Sequence, residues 1–343
     1  MSDSLKPILA LLADSNSLNI KDAETAFDII MSGNATEAQI GAFLMALRIR
    51  GETVDEITGA VRSMRAKALS VKAPSNAIDI VGTGGDESGT YNISTAAAIV
   101  VSSCGISVAK HGNRALSSKS GAADVLSALG VNIDAEIDIV ERSIFEVGIG
   151  FLMAPRHHAA MKYVGPSRVQ MGIRTIFNIL GPLSNPANVT RQFTGVFSLD
   201  WLVPMAEALK NLNCKAAWIV HGSDGLDELT TTGRSHVAQL KDNKITTFDV
   251  SPEDAGLKIA DPQDLKGGDA ITNAKALKAL LAGETGPYRD IVIYNAAGCL
   301  IVAGKADDLK TGVKIAAASI DDGKAMTILN NWIAVTNTDN KNE

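Results

Sequence analysis

The residues with the types and spacing to do chemistry fall in three short stretches. The first is Gly82-Thr83-Gly84-Gly85-Asp86, which follows the apolar run Ile78-Asp79-Ile80-Val81 and precedes Asn92-Ile93-Ser94-Thr95, the opening of an alanine-rich helical run. Glycines at the end of a strand let backbone N–H groups approach a ligand, and the helix start behind them favours negative charge, so this is an anion site. It is neither a dinucleotide fingerprint, since Glu87 stands where the third glycine would be, nor a P-loop, since no Gly-Lys-Ser/Thr follows. The second stretch, Lys110-His111-Gly112-Asn113-Arg114-Ala115-Leu116-Ser117-Ser118, adds two cations, an imidazole, an amide and hydroxyls directly after another strand. Together the two read as a cradle for a phosphorylated ligand. The third is Asp227-Glu228, again just after a strand-like run. Adjacent carboxylates are ordinarily a solvated pair, but beside a polyphosphate they would repel it unless Mg2+ bridged the two, with Ser94 offering a further oxygen.

Three further residues stand apart from these stretches. Arg168, in Pro166-Ser167-Arg168, is a fork-shaped cation able to grip a carboxylate with two hydrogen bonds, or equally a surface ion-pair partner. His157 and His158 are adjacent and so do not share a helix face as a metal-binding i, i+4 pair would; a structural role is expected for them.

The elements that must position these residues alternate. Residues 4 to about 69 read as four short helices, two of them opened by the capping boxes Thr36/Gln39 and Thr53/Glu56. Such a unit buries little alone, so its apolar faces are expected to pack on a later segment or on a second subunit. After a linker at Lys72 to Asn76, strands and helices alternate: strands at 78–81, 108–110, 150–153, 193–197 and 216–221 are separated by helices, which predicts a mostly parallel sheet flanked by helices. The βα loops then emerge at one edge, where the ligand belongs. Residues 237–240 and 245–248, around Asp242-Asn243, predict an antiparallel pair at one side of the sheet. Residues 169–180 read as one helix ended by Gly181-Pro182, and this segment is expected to return to the N-terminal helices. Helices near 273–282, 288–297 and 309–318 are expected to finish the fold, leaving Thr336 to Glu343 as a disordered polar tail. The expected division is a small helical domain, 1–72 completed by 166–191, and a large α/β domain, 73–343.

With 343 residues, 46% hydrophobic and 20% charged, the chain is long enough for two domains around a large core. A net charge of −6 without basic clusters argues against nucleic acid and against anionic membranes as partners, and for a small ligand. Cys104, Cys214 and Cys299 are far apart and in apolar surroundings, which fits buried thiols in a reducing compartment. No apolar run approaches ~18 residues and Met1-Ser2-Asp3-Ser4 has no signal-peptide character, so a cytoplasmic location is expected.

In combination, Gly82–Asp86, Asn92–Thr95, Lys110–Arg114, Gly172-Ile173-Arg174-Thr175-Ile176-Phe177-Asn178 with Leu180-Gly181-Pro182-Leu183, and Gly225-Leu226-Asp227-Glu228 resemble the anthranilate phosphoribosyltransferase family. The resemblance spans nearly the whole chain. It implies a nucleoside phosphorylase/phosphoribosyltransferase-like architecture in which a small helical domain is joined by a hinge to a large α/β domain, homodimers through the helical domain, and transfer of phosphoribose to anthranilate in tryptophan biosynthesis. It further implies that Gly82, Gly85, Asp86, Thr90, Asn92, Ile93, Ser94, Thr95, the run Lys110, His111, Gly112, Asn113, Arg114, Ala115, Leu116, Ser117 and Ser118, and Ala122 hold 5-phosphoribosyl 1-diphosphate (PRPP). Ser94, Asp227 and Glu228 would hold two Mg2+, and Gly82, Asn113, His111 and Arg168 would meet anthranilate, with Arg168 on its carboxylate. No acid or base residue is assigned. The chain differs from the family pattern at Glu87, which adds a negative charge near the diphosphate loop, and at Ala122, Arg156 and Ser167. Thr230-Thr231-Thr232-Gly233 is similar to the phosphate loop of the common phosphoribosyltransferases but lacks their preceding acids, and is read as a decoy. The rival readings are a pyrimidine nucleoside phosphorylase-like enzyme and a non-catalytic nucleic-acid-binding relative; the acidic balance and the Asp227-Glu228 pair speak against both.

Overall fold

A computed structural model describes residues 4–86, 88–114 and 119–338. The N-terminal unit consists of α1 (Lys6–Ala13), α2 (Ile20–Met31), α3 (Glu37–Arg50) and α4 (Val54–Lys67). Both capping boxes form as the sequence predicts: Thr36 and Gln39 satisfy each other's backbone N–H groups at the start of α3, and Thr53 and Glu56 do so at α4. Then come β1 (Ile78–Gly82), α5 (Ile93–Ser103), β2 (Val108–Gly112), α6 (Ala122–Leu129), α7 (Ile137–Glu146) and β3 (Ile149–Met153). The connecting stretch holds α8 (Ala154–His157), α9 (Gly165–Met171) and α10 (Phe177–Leu183). The chain returns to the sheet with β4 (Arg191–Gly195), α11 (Leu202–Asn211), β5 (Ala216–Gly222), β6 (Ser235–Lys241) and β7 (Lys244–Val250), and ends in α12 (Ala270–Leu281), α13 (Pro287–Val302), α14 (Leu309–Asp321) and α15 (Lys324–Thr336).

The strands lie in the order β3-β2-β1-β4-β5-β6-β7. The first five run parallel, and β6 and β7 join antiparallel at one edge through Asp242 and Asn243, both in the left-handed region that a tight hairpin turn needs. The inner strands are buried along almost their whole length because helices cover both faces, so their sequences read as apolar runs; β7 is mostly exposed. Helix α5, with Ala96 to Val101 fully buried, packs on α13 and α15 over one face. On the helical side Phe27 meets Phe43 at 5.4 Å and Phe177 at 5.6 Å, both edge to face, so α10 packs into the N-terminal unit. The same apolar cluster continues through Leu202, Met205 and Leu209 of α11 to Ala217 and Ile219 of β5.

Three expectations are corrected. Residues 169–180 are not one helix: Gly172 ends α9 in a left-handed cap, chain to Ile176 is irregular, and α10 then runs through Pro182. Helix α15 extends the fold beyond the last expected helix, and its Trp332 is fully buried. Thr336 to Thr338 belong to the packed structure: Thr336 Oγ1 accepts from Asn132 N–H at 3.2 Å and Asn337 Nδ2 donates to Gly130 O at 2.8 Å. The rest of the expected tail, 339–343, lies outside the described residues.

Candidate active site

The site is built where β1, β2, β4 and β5 end. Gly82 and Gly195 are register partners at the last position of β1 and β4. The chain leaving β5 crosses above them. A Cβ on Gly195 would lie 1.5 Å from the Asp227 carbonyl oxygen, and one on Gly82 would lie 2.3 Å from Asp227 Oδ2. Two adjacent strand ends without side chains therefore open the gap through which the Asp227-Glu228 loop reaches the first glycine loop. Gly195 sits inside an ordinary strand pattern, and nothing local marks it.

Across that gap the three stretches meet. Asp227 Oδ2 accepts from Gly84 N–H at 2.7 Å, and Glu228 Oε1 accepts from Ser94 N–H at 3.1 Å, so each carboxylate caps backbone donors of the β1–α5 turn. Gly84 and Gly85 are both left-handed there, with φ of 67° and 76°. From β2, Lys110 reaches in beneath them, only 2% exposed; its Nζ donates to Ile80 O at 2.5 Å and lies 3.4 Å from Ser94 Oγ. Asp79, fully buried one strand away, accepts from His111 N–H at 3.0 Å.

The charges here are mutually frustrated. Burial, then the Asp86 carboxylate, pushes the Asp227 carboxyl up to about 7. Glu228 is held well above the carboxylate range by burial and by Asp227, with Lys110 opposing. Burial raises Asp79 to about 6. Lys110 is pulled down by burial, while Asp79 and Glu228 pull it back up.

The remaining expected residues divide. His111 Nδ1 pairs with Gly181 O at 3.1 Å, leaving Nε2 buried without a partner among the described residues. Burial and the neighbouring His158 ring, 5.2 Å away, push His111 down to about 3, so its ring is neutral and Nδ1 is the donor. His157 Nδ1 holds Leu69 O at 2.8 Å, a structural contact. Half-buried Arg168 stands over the Phe177 ring at 5.4 Å, and among the described residues no carboxylate lies within ion-pair distance of it. Arg114 instead pairs with Asp124 at 3.3 Å. Asn92 is committed to the protein: its amide donates to Ser120 O at 3.2 Å and its Oδ1 accepts from Asn273 Nδ2 at 2.9 Å. Ile93 and Thr95 are buried, Thr90 bridges to Lys266, Gly112 lies against Phe151, Asn113 Oδ1 accepts from Arg114 N–H, and Ala122 opens α6. The Thr230 and Thr232 hydroxyls of the decoy loop both donate to Asp224 at 2.6 Å. The expectations for Ala115, Leu116, Ser117, Ser118 and Glu87 lie outside the described residues. Sequence reasoning gave Asp79 and Arg174 no role, although Arg174 Nη2 donates to Gly85 O.

Residues 6–68 match the helical bundle domain of the glycosyl transferase family, and residues 74–326 its a/b domain. The anthranilate phosphoribosyltransferase of Azospirillum brasilense is 61% identical over 339 residues, covering 99% of this chain and 95% of that protein. The chain belongs to the anthranilate phosphoribosyltransferase family. The Agrobacterium fabrum anthranilate phosphoribosyltransferase is 59% identical, over 99% of both chains. The crystal structure of anthranilate phosphoribosyltransferase from Thermus thermophilus superposes with a TM-score of 0.92 at 40% identity, covering 96% of this chain and 99% of that one. The Saccharomyces cerevisiae anthranilate phosphoribosyltransferase in complex with PRPP and Mg has a TM-score of 0.88 at 29% identity, over 97% and 99% of the two chains.

Buried Asp79 and Glu228 and half-buried Asp227 share, among the described residues, one buried ammonium, Lys110, and two of these carboxyls stand together at the rim, so a hard dication is the countercharge they lack. Among the described residues no three or more His, Cys, Asp and Glu side chains gather into a metal cage. Mg2+ does not need one, because it is held by one or two carboxylates with water and substrate phosphates completing the shell. The residues fit.

Proposed function

We propose that this protein transfers the phosphoribosyl group of PRPP to the amine of anthranilate, giving N-(5-phosphoribosyl)anthranilate and diphosphate in tryptophan biosynthesis. The observation that carries the reading is the meeting of three separate segments at one rim: Lys110 of β2 lies under Ser94 at the start of α5, Ser94 N–H holds Glu228, and Asp227 holds Gly84 N–H. The family membership supports the same reaction.

Breaking the bond from the anomeric carbon to diphosphate builds positive charge on the sugar and negative charge on the leaving group. Electrostatic stabilisation of the leaving group is therefore the main demand on the site. Lys110 and the backbone N–H groups of the Gly82–Asp86 turn would neutralise it from the protein side. Bound at Asp227, Glu228 and Ser94, two Mg2+ would supply the remaining positive charge and align the diphosphate oxygens. Arg168, half-buried with no carboxylate partner among the described residues, would hold the anthranilate carboxylate, with neutral His111, Asn113 and Gly82 beside the ring. The attacking aromatic amine is neutral at physiological pH and needs no prior deprotonation; the N-ribosyl anilinium first formed is strongly acidic and passes its proton to the departing diphosphate, so no general base is assigned to the protein. Alignment of amine and carbon with exclusion of water would follow from closure of a helical domain, 1–72 with 166–191, on an α/β domain, 73–343.

We place the protein in the cytoplasm as a homodimer joined through the helical domain. In support, Met45 and Ile49 are exposed one turn apart on α3, and Ile49 is 79% exposed. Among the described residues no helix is long and apolar enough to cross a membrane, and all three cysteines are free. The test is loss of anthranilate fluorescence on adding PRPP and Mg2+. Loss that needs both additions is the expected result, and fluorescence unchanged in their presence rejects the reading.

A further inference from the structure

Arg174 lies in the irregular chain between α9, which carries Arg168, and α10. Its Nη2 donates to the Gly85 carbonyl, and its guanidinium lies 4.3 Å from the centre of the Phe197 ring. Phe197 is tied to the same turn, because its N–H donates to Thr83 Oγ1 at 3.1 Å while Thr83 N–H donates to Gly195 O at 3.0 Å. The turn is thus gripped at Thr83, at Gly84 by Asp227, and at Gly85 by Arg174.

The third grip differs in kind from the others. Thr83 and Gly84 are held from the end of β4 and from the loop that follows β5, both continuous with the sheet that carries the turn itself. Arg174 comes from the segment that packs with the N-terminal helices through Phe177. Left-handed glycines have many conformations of similar energy, so the Gly84-Gly85 peptides need an outside partner to keep one orientation. In a trans peptide the carbonyl and the next N–H point in opposite directions, so fixing the Gly85 carbonyl on Arg174 also aims the Asp86 N–H.

We propose that Arg174 is a positioning residue that couples the two substrate arms: it holds the Gly85-Asp86 peptide in the orientation that binds diphosphate, and links that orientation to the segment bearing Arg168. Occupancy of either arm then favours the other, with Arg174 touching neither substrate. This rests on the function proposed above.

The test compares the unmutated protein with Arg174→Ala, Arg174→Met and Arg174→Lys. PRPP affinity is measured by calorimetry with Mg2+, anthranilate affinity with and without the unreactive anion diphosphate, and KM and kcat where turnover occurs. Arg174→Ala and Arg174→Met are expected to weaken PRPP binding by roughly ten-fold or more, the scale of one charged hydrogen bond. The diphosphate-induced gain in anthranilate affinity should disappear in both. Arg174→Lys, still able to donate to Gly85 O, should recover part of the PRPP affinity, and millimolar guanidinium should partly rescue Arg174→Ala. Unchanged PRPP affinity in Arg174→Ala overturns the coupling while leaving the transferase reading intact. Losses that follow thermal stability alone, with no recovery by lysine or guanidinium, also overturn it. An unmutated protein that binds PRPP without turnover rejects the transferase reading while the binding comparison still decides the role of Arg174; one that does not bind PRPP rejects both.

Discussion

Asp227 and Glu228 are held beside Asp86 with Lys110 as the one buried cation close to them among the described residues, an imbalance that the proposed Mg2+ would offset. Replacing both by their amides, Asp227→Asn with Glu228→Gln, keeps the shape and the acceptor oxygens for Gly84 and Ser94 while removing the charge. Turnover at saturating Mg2+ should fall on the order of 100-fold or more, since the charge stabilisation involved is several kcal/mol. Steady-state rates across a Mg2+ titration check this, and a double variant with full activity sinks the metal site. Arg168 makes a different kind of contribution. Removal of a guanidinium that pairs with a substrate carboxylate costs about 1.5 to 3 kcal/mol, so Arg168→Ala should raise KM for anthranilate roughly 10- to 100-fold with a smaller change in kcat. An anthranilate KM equal to that of the unmutated protein would remove the assignment.

At the scale of elements, the site depends on a loop from β5 crossing two strand ends. A methyl group at Gly195 would collide with the Asp227 backbone, which cannot swing aside as a side-chain tip can. Gly195→Ala should therefore displace the Asp227-Glu228 loop and lose Mg2+-dependent activity, with destabilisation of about 1 to 3 kcal/mol as for other overpacked sites. Activity and urea unfolding measured together decide the point; a variant normal in both would mean the loop has another route. The same crossing marks where sequence reading stopped. Local rules are legible along the chain: the glycine turn between β1 and α5, the Thr36 and Thr53 capping boxes, and the Asp242-Asn243 hairpin all follow from chemistry within a few residues. Gly195 was not legible because its need for a bare Cα comes from a loop that arrives only in the folded molecule. Arg174 was hidden for a related reason, since the apolar spacing of 169–180 imitates one helix and the irregular break after Gly172 is set by what Arg174 and Phe177 reach. Helix α15 escaped because its pattern follows a run of other helices with little to mark its start beyond Gly323.

The whole molecule must keep its helical unit attached to the sheet, and His111, His157 and His158 sit in that junction. Dimerisation through α3 predicts that Ile49→Glu shifts the molecule from dimer to monomer by light scattering while its circular dichroism stays unchanged; a persistent dimer would place the interface elsewhere. Stability should also carry a pH signature from His158, which burial and His157 push down to about 4 from an ordinary 6.5. Above 6.5 the ring is neutral in both folded and unfolded chains, so its contribution is fully present. As pH falls below 6.5 the unfolded chain takes up a proton that the folded one refuses until about 4, and stability is lost across that window. The raised carboxyls of Asp79 and Asp227 act with the opposite sign, gaining stability as pH falls below about 6 and about 7, so the total profile mixes the two. A difference measurement separates them. In His158→Asn the titrating ring is gone, the amide still reaches for the Ser184 backbone, and the acids are unchanged, so their contributions cancel between the two proteins. The stability advantage of the unmutated protein over His158→Asn should shrink by about 2 kcal/mol between about pH 7.5 and about pH 5. Urea titrations at the two pH values measure it, and a difference independent of pH would show that His158 is protonated as readily in the folded molecule as in the unfolded chain.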